Sequence, residues 1–191
     1  MAGVLCCVLL AAGRSSRLGA PKALIKMGNE TLVGWLASRV ETTGARMVIV
    51  TREEIFSEVR ASVGKIPVIV NKDPERGRTG TIQAGIRHLR ETIEGDIRVL
   101  VVPVDRPGFS DSTLQTISSS IVSSSPSNFG RGGHPLIVCG RDISRILSSD
   151  PDVPLNAIVK SAKVDVEDPH LHLNIDTPED LRGLSNALGE L

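Results

Sequence analysis

A chain of 191 residues suffices for one domain, and 40% apolar with 23% charged residues suits a packed core under a soluble surface. Lysine plus arginine and aspartate plus glutamate each total 22, so the formal net charge is zero, which argues against a general nucleic-acid binder. One tryptophan, three phenylalanines and no tyrosine are too few for a base-stacking platform, and three cysteines make neither a disulfide framework nor a zinc pattern.

The first apolar run, residues 4–12, is short, has no basic leader and ends in Gly13-Arg14. It predicts a buried first strand, with Cys6 and Cys7 as small core residues, and not a signal peptide or a membrane span. The expected compartment is the cytoplasm. Further strand-like runs follow at residues 47–50, 66–70 and 97–104, the last nearly continuous in Val, Leu and Ile. Such runs suit parallel strands covered on both faces. Between them Leu32, Trp35, Leu36 and Val40 recur at helical spacing, as do Ile82, Ile86 and Leu89. The alternation predicts an α/β chain with a three-layer α/β/α, Rossmann-like and mostly parallel sheet.

The second half is less regular. Leu114, Ile117 and Ile121 mark a helix, and the serine-rich residues 118–127 read as its frayed end and a flexible loop. An apolar run at 136–139 and short helices at 143–147 and 155–161 follow. Residues 164–166 and 171–175 suggest a small late β-hairpin or paired edge strands. Thr177-Pro178-Glu179-Asp180 then opens a last helix, with a cap, a proline at its first position and acidic residues at its positive end.

Chemistry concentrates in the first loop. Leu10-Ala11-Ala12-Gly13-Arg14-Ser15-Ser16-Arg17-Leu18-Gly19-Ala20-Pro21-Lys22 leaves the carboxyl end of a parallel strand, where open sheets bind ligands. Gly13 and Gly19 allow close approach of backbone N–H groups to an anion, and Arg14, Arg17 and Lys22 add positive charge. Phosphate is the expected ligand. The loop is not a Walker A loop, because Pro21 precedes Lys22, and it lacks the three glycines of the dinucleotide fingerprint. After the third strand, Gly77-Arg78-Thr79-Gly80-Thr81 begins a helix whose free N–H groups and hydroxyls can meet a ligand. Asp105 closes the long strand and is well placed for a metal, since Mg²⁺ needs only one or two carboxylates beside substrate phosphates and water. Asn174 and Asp176 share a side of a presumed strand. Asp168 is a weaker ligand candidate; His170 and His172, two apart with no third ligand, read as surface residues, and His88 has no functional argument.

The string Leu10-Ala-Ala-Gly-x-Ser-x-Arg-x-Gly-x-x-Lys22 resembles the signature of the molybdenum-cofactor nucleotidyltransferases and their wider superfamily. Ala20-Pro-Lys-Ala-Leu-Ile-Lys-Met-Gly28 is most similar to the molybdenum cofactor cytidylyltransferase branch. The resemblance implies one domain over residues 1–191, with a nucleotide-binding half to about residue 105 and an acceptor-binding half after it. Leu10, Ala11, Ala12, Gly13, Arg14 and Lys22 would hold the triphosphate, and Asn71, Gly80 and Thr81 the base and ribose. Arg17, Lys22 and Asp105 would be catalytic, with Mg²⁺ on Asp105 and Asp176. His134, in Gly133-His-Pro-Leu136, and Asn174 would face the acceptor, although His134 can equally be structural. Val104 stands where the relatives have a glycine before the aspartate.

The implied reaction is transfer of CMP from CTP to molybdopterin or a molybdenum-loaded form, with release of pyrophosphate. Ala12 favours CTP, because guanylyltransferase relatives usually carry glycine there. A molybdoenzyme or its chaperone is the implied recipient, with no nucleic-acid or membrane partner. The alternatives are a sugar- or polyol-phosphate nucleotidyltransferase, a GTP-using molybdopterin guanylyltransferase, and a non-catalytic carrier of the finished cofactor.

Overall fold

Strand β1, Val4–Leu10, is apolar throughout, and its alternating residues supply two separate cores. Cys7 and Leu9 face one core, while Cys6, Val8 and Leu10 face the other. A strand buried on both faces needs a helical layer on each. Residues 3–14, 18–189 and 191 are described by the computed structural model. After β1 come β2 (Lys26–Met27), β3 (Glu30–Thr31), α1 (Leu32–Glu41), β4 (Arg46–Thr51), α2 (Phe56–Ser62), β5 (Val68–Val70), α3 (Arg78–Thr92) and β6 (Ile97–Pro103). The chain continues through α4 (Asp111–Ser119), β7 (Ser124–Asn128), β8 (Arg131–Gly132), β9 (Leu136–Cys139), α5 (Arg141–Ser148), α6 (Leu155–Ile158), β10 (Ala162–Asp165) and α7 (Pro178–Ala187).

The main sheet runs β10-β7-β9-β6-β1-β4-β5, with β8 paired to β7. Its pairs are parallel except that β9 is antiparallel to β6 and β7, and β8 to β7. Helices α1, α2, α4 and α7 cover one face, and α3 and α5 cover the other. The expected three-layer, mostly parallel sheet is therefore the observed one. Helix α3 lies very close to β1: a Cβ on Gly85 would come within 2.4 Å of Val8. Burial pushes the Cys6 thiol up to about 11, and Cys7 is raised as well, so both are protonated core atoms.

Two expectations for the second half differ from the structure. The serine-rich segment is a helix end and loop only as far as residue 123: Ser124–Asn128 is a fully buried strand between β9 and β10. Hydrogen bonds take the place of apolar packing. Ser125 Oγ meets Ser161 Oγ at 3.0 Å and accepts from Lys163 Nζ at 2.9 Å, while Asn128 donates to the Asp168 carbonyl at 2.7 Å. Strand β7 meets β9 at Ser124 alone, so Pro126, with no N–H to donate, lies where that ladder has ended.

The late hairpin is also placed differently. Residues 162–165 form β10, parallel to β7 at the sheet edge, whereas 171–175 are turns and irregular chain. The small antiparallel hairpins are β2–β3 and β7–β8. The last helix begins as expected: Thr177 and Asp180 form a capping box, and Pro178 is its first residue.

Candidate active site

The carboxyl ends of β1 and β6 open onto a cavity of about 260 Å³. Register fixes this rim, because Leu10 lies opposite Pro103 and both chains turn away beyond it. The Val104 N–H donates to the Leu10 carbonyl, and that of Ala11 to Val50, so the two loops leave side by side. Leu10, Ala11, Ala12, Gly13 and Arg14 form one wall, Lys22 another, and Val104 and Asp105 a third. Gly77, Arg78 and Thr81 complete it at the start of α3, which has no side-chain cap. Uncapped helix N–H groups, loop backbone and Lys22 thus converge on one space beside Asp105, an arrangement suited to phosphate.

Most of the nucleotide-side residues expected from the sequence lie in this wall. Arg14 does so with its side chain turned to Glu75, at 2.5 Å and well exposed. Gly13 has nothing within 4 Å of a would-be Cβ, and Gly19 has φ +69°, the conformation that favours glycine. Arg17 lies outside the described residues.

Gly80 and Asn71 are placed otherwise. Helical geometry puts Arg78 and Thr81, three apart, on the cavity side. Gly80 is turned toward the loop before α6, where its Cβ would meet Pro151 at 3.0 Å. Thr79 faces that loop too, donating to the Val153 carbonyl at 2.6 Å. Asn71 is buried behind the wall: its amide donates to Thr81 Oγ1 at 3.0 Å, and its carbonyl accepts the Asp73 N–H at 3.0 Å. Its role in the structure is to orient Thr81.

Asp105 has Arg78 at 3.7 Å. Its carbonyl accepts the Ile175 N–H at 2.9 Å, which brings the closing segment beside it. There Asp176 receives Lys22 Nζ at 2.5 Å on one carboxylate oxygen and the Asn174 amide on the other. Asp176 therefore meets Lys22 directly and Asn174 only through Asp176, although both lie in irregular chain and not on a strand. Asp168 is buried, accepting from the Ser110 N–H at 2.7 Å and Thr113 Oγ1 at 2.8 Å, which suits anchoring of α4. Among the described residues no three His, Cys, Asp or Glu side chains gather as a metal site.

The loop after Asp105 is held from α1. Arg39 stacks between Trp35 and Phe109, 4.8 and 4.7 Å from their ring centres, and donates to the Phe109 carbonyl at 2.6 Å.

A second, larger cleft of about 860 Å³ adjoins the first at Gly77 and Arg78. His134 lies in it, together with Arg106, Arg131 and Lys163, which the sequence reading did not single out. Arg106 directly follows Asp105, a signal that was available; Arg131 and Lys163 are joined only by the pairing of β8 and β10 with β7. Burial, then the charges of Arg78, Arg106 and Lys163, lower the His134 imidazole to about 3. The ring is neutral in the folded chain, while in the unfolded chain it titrates near 6.5. Between these values the unfolded state binds the extra proton, so stability falls as pH drops below about 6.5. The urea midpoint should accordingly fall more between pH 7 and pH 5 in the wild type than in His134→Asn. An equal fall in both would remove this role from His134.

Residues 7–166 match the family described as the MobA-like NTP transferase domain. Over 194 residues the chain is 28% identical to a molybdenum cofactor guanylyltransferase of Rhizobium meliloti (strain 1021), covering 92% of this chain and 88% of the relative. It is 27% identical over 115 residues to a molybdenum cofactor guanylyltransferase of Sinorhizobium fredii (strain NBRC 101917 / NGR234); that match covers 60% of this chain and about half, 52%, of the relative's length. The fold is that of Rv0371c from Mycobacterium tuberculosis H37Rv, with TM-score 0.78, 23% identity and coverage of 97% and 99% of the two chains. With most of its length matched and Leu10–Arg14 and Lys22 of the signature lining the cavity, this chain belongs to the MobA-like NTP transferase domain family.

Proposed function

We propose that this chain is a molybdenum-cofactor nucleotidyltransferase, which joins a nucleoside monophosphate to the terminal phosphate of molybdopterin. The observation that carries this reading is the convergence of the Ala11–Arg14 backbone, the uncapped start of α3, Lys22 and Asp105 on one cavity. An acceptor phosphate oxygen attacks the α-phosphorus in line. As that P–O bond forms, the α–β bridging bond breaks and its electron pair leaves on pyrophosphate. The chain's part is positioning and charge: loop N–H groups and Lys22 hold the triphosphate and stabilise charge growing on non-bridging oxygens.

A divalent cation, Mg²⁺ in this reading, fits the residues present. Asp105 lines the cavity, and the hydrogen bond from Ile175 to its carbonyl brings Asp176 alongside. Two carboxylates beside substrate phosphates are sufficient for Mg²⁺. When bound, it supplies further charge compensation at the phosphates.

GTP is the donor favoured by the names of both rhizobial relatives. CTP remains the second reading on one observation: Ala12, buried in the cavity wall, puts a methyl group where the sequence resemblance expects glycine for guanine. Pyrophosphate release with each of the four nucleoside triphosphates, with and without molybdopterin, tests both. Molybdopterin-dependent release with GTP or CTP is expected. Release that ignores molybdopterin but follows a sugar or polyol phosphate would replace the acceptor, and no release at all would leave the carrier. If the methyl group sets the base, Ala12→Gly should raise the GTP/CTP ratio; an unchanged ratio ends that explanation.

A further inference from the structure

The larger cleft holds more positive charge than one phosphate requires. Arg78 stands where it joins the nucleotide cavity, Arg106 follows the β6 rim, and Arg131 and Lys163 lie at the far end on β8 and β10. In a chain of zero net charge this is a strong local excess. Neighbouring acids offset it only in part: among the described residues Asp152, in the cleft wall, is engaged by Arg76 at 3.2 Å, and Asp105 lies 3.7 Å from Arg78, so the excess rests mainly on Arg106, Arg131 and Lys163.

Two polar atoms in the same wall also lack partners. Arg106 Nε and His134 Nδ1 are shut off from solvent and make no hydrogen bond. Such atoms are rare in folded proteins, and they show a wall whose polar groups the fold itself leaves unsatisfied. Lys163 is held in place: its Nζ donates to Ser125 Oγ at 2.9 Å, and a Cβ on Gly132 would lie only 2.4 Å from it. The neutral His134 ring lies among Arg78, Arg106 and Lys163, whose charges it senses.

We infer that this cleft selects an acceptor with two anionic ends, the reacting phosphate at Arg78 and Arg106 and a second anionic group at Arg131 and Lys163. The uncharged body of the acceptor lies between them against His134. The inference rests on reading this cleft as the acceptor side, and it makes Arg131 and Lys163 specificity determinants. An acceptor whose only charge is the reacting phosphate would leave the far pair uncompensated and be bound less well.

The experiment is binding by titration calorimetry on the full chain without nucleotide. The probes are hexyl monophosphate and the bisphosphates of butane-1,4-diol and hexane-1,6-diol. At least one bisphosphate is expected to bind 10-fold or more tightly than the monophosphate, about 1.4 kcal/mol. In Arg131→Ser/Lys163→Ser that advantage should shrink to about twofold with monophosphate affinity unchanged, whereas Arg106→Gln should weaken all three ligands. Bisphosphates within twofold of the monophosphate in the wild type would overturn the inference. So would an advantage that survives the double substitution, because the probe would then lie in the nucleotide cavity. No nucleotide is turned over in this measurement, so its failure is separate from a failure of pyrophosphate release.

Discussion

Replacement of Lys22 by alanine should lower turnover by about 10²-fold or more while leaving the unfolding midpoint near that of the wild type. The Lys22 ammonium lies at the cavity wall, 2.5 Å from Asp176, whose side chain is 39% exposed. The Lys22 side chain is only 13% exposed, so its loss should cost somewhat more than the roughly 0–1 kcal/mol of a surface pair. Asp176 keeps water and the Asn174 amide as partners, which limits the change. Turnover is different, because the same charge faces the cavity where, in the proposed reaction, negative charge grows on the phosphoryl oxygens. The split between kcat and KM gives the reading. A fall in kcat assigns Lys22 to the transition state, whereas a rise in KM alone would mean that it holds substrate and transition state equally. Lys22→Arg keeps the charge but not the compact ammonium, and should recover only part of the loss.

A large structural effect is expected at Gly108. A Cβ there would lie 2.0 Å from the His170 carbonyl oxygen and 2.6 Å from Leu173 Cβ. A carbonyl on a neighbouring segment cannot swing aside as a side-chain tip can. Gly108→Ala should therefore cost about 3 kcal/mol, the upper part of the usual range for overpacking. Urea unfolding measures this directly. The displaced segment leads straight into Asn174 and Asp176, so turnover should fall too, even at temperatures where the variant is fully folded. Stability within about 0.5 kcal/mol of the wild type would show that the turns at 169–172 adapt.

The first half of the fold was legible because its strands are apolar on both faces and its helices repeat at a fixed period. The rim followed, since a parallel strand ending in a glycine- and arginine-rich loop leaves few places for that loop to go. Strand β7 was hidden for the opposite reason. Hydrophobicity is the signal by which strands are read, and Ser124–Asn128 is buried through hydroxyl and amide hydrogen bonds whose partners lie up to 40 residues away. Gly80 and Thr81 part by one helical step: Thr81 faces the cavity, and the Cβ direction of Gly80, about 100° round the axis, faces Pro151. Arg131 and Lys163 were illegible as a pair because only strand pairing brings them to the same cleft.

The serine-built strand also bears on how the chain survives its own synthesis. Strand β10 follows β7 by more than thirty residues, so the flank of β7 that later receives it stays open while the intervening chain is made and folded. An open flank of Val and Ile would invite a second nascent copy to pair there. Ser-Ser-Pro-Ser-Asn gives a second copy no long aliphatic or aromatic side chain to interlock with. Refolding yield of this chain should thus tolerate rising protein concentration better than that of a variant whose buried serines are exchanged for valine.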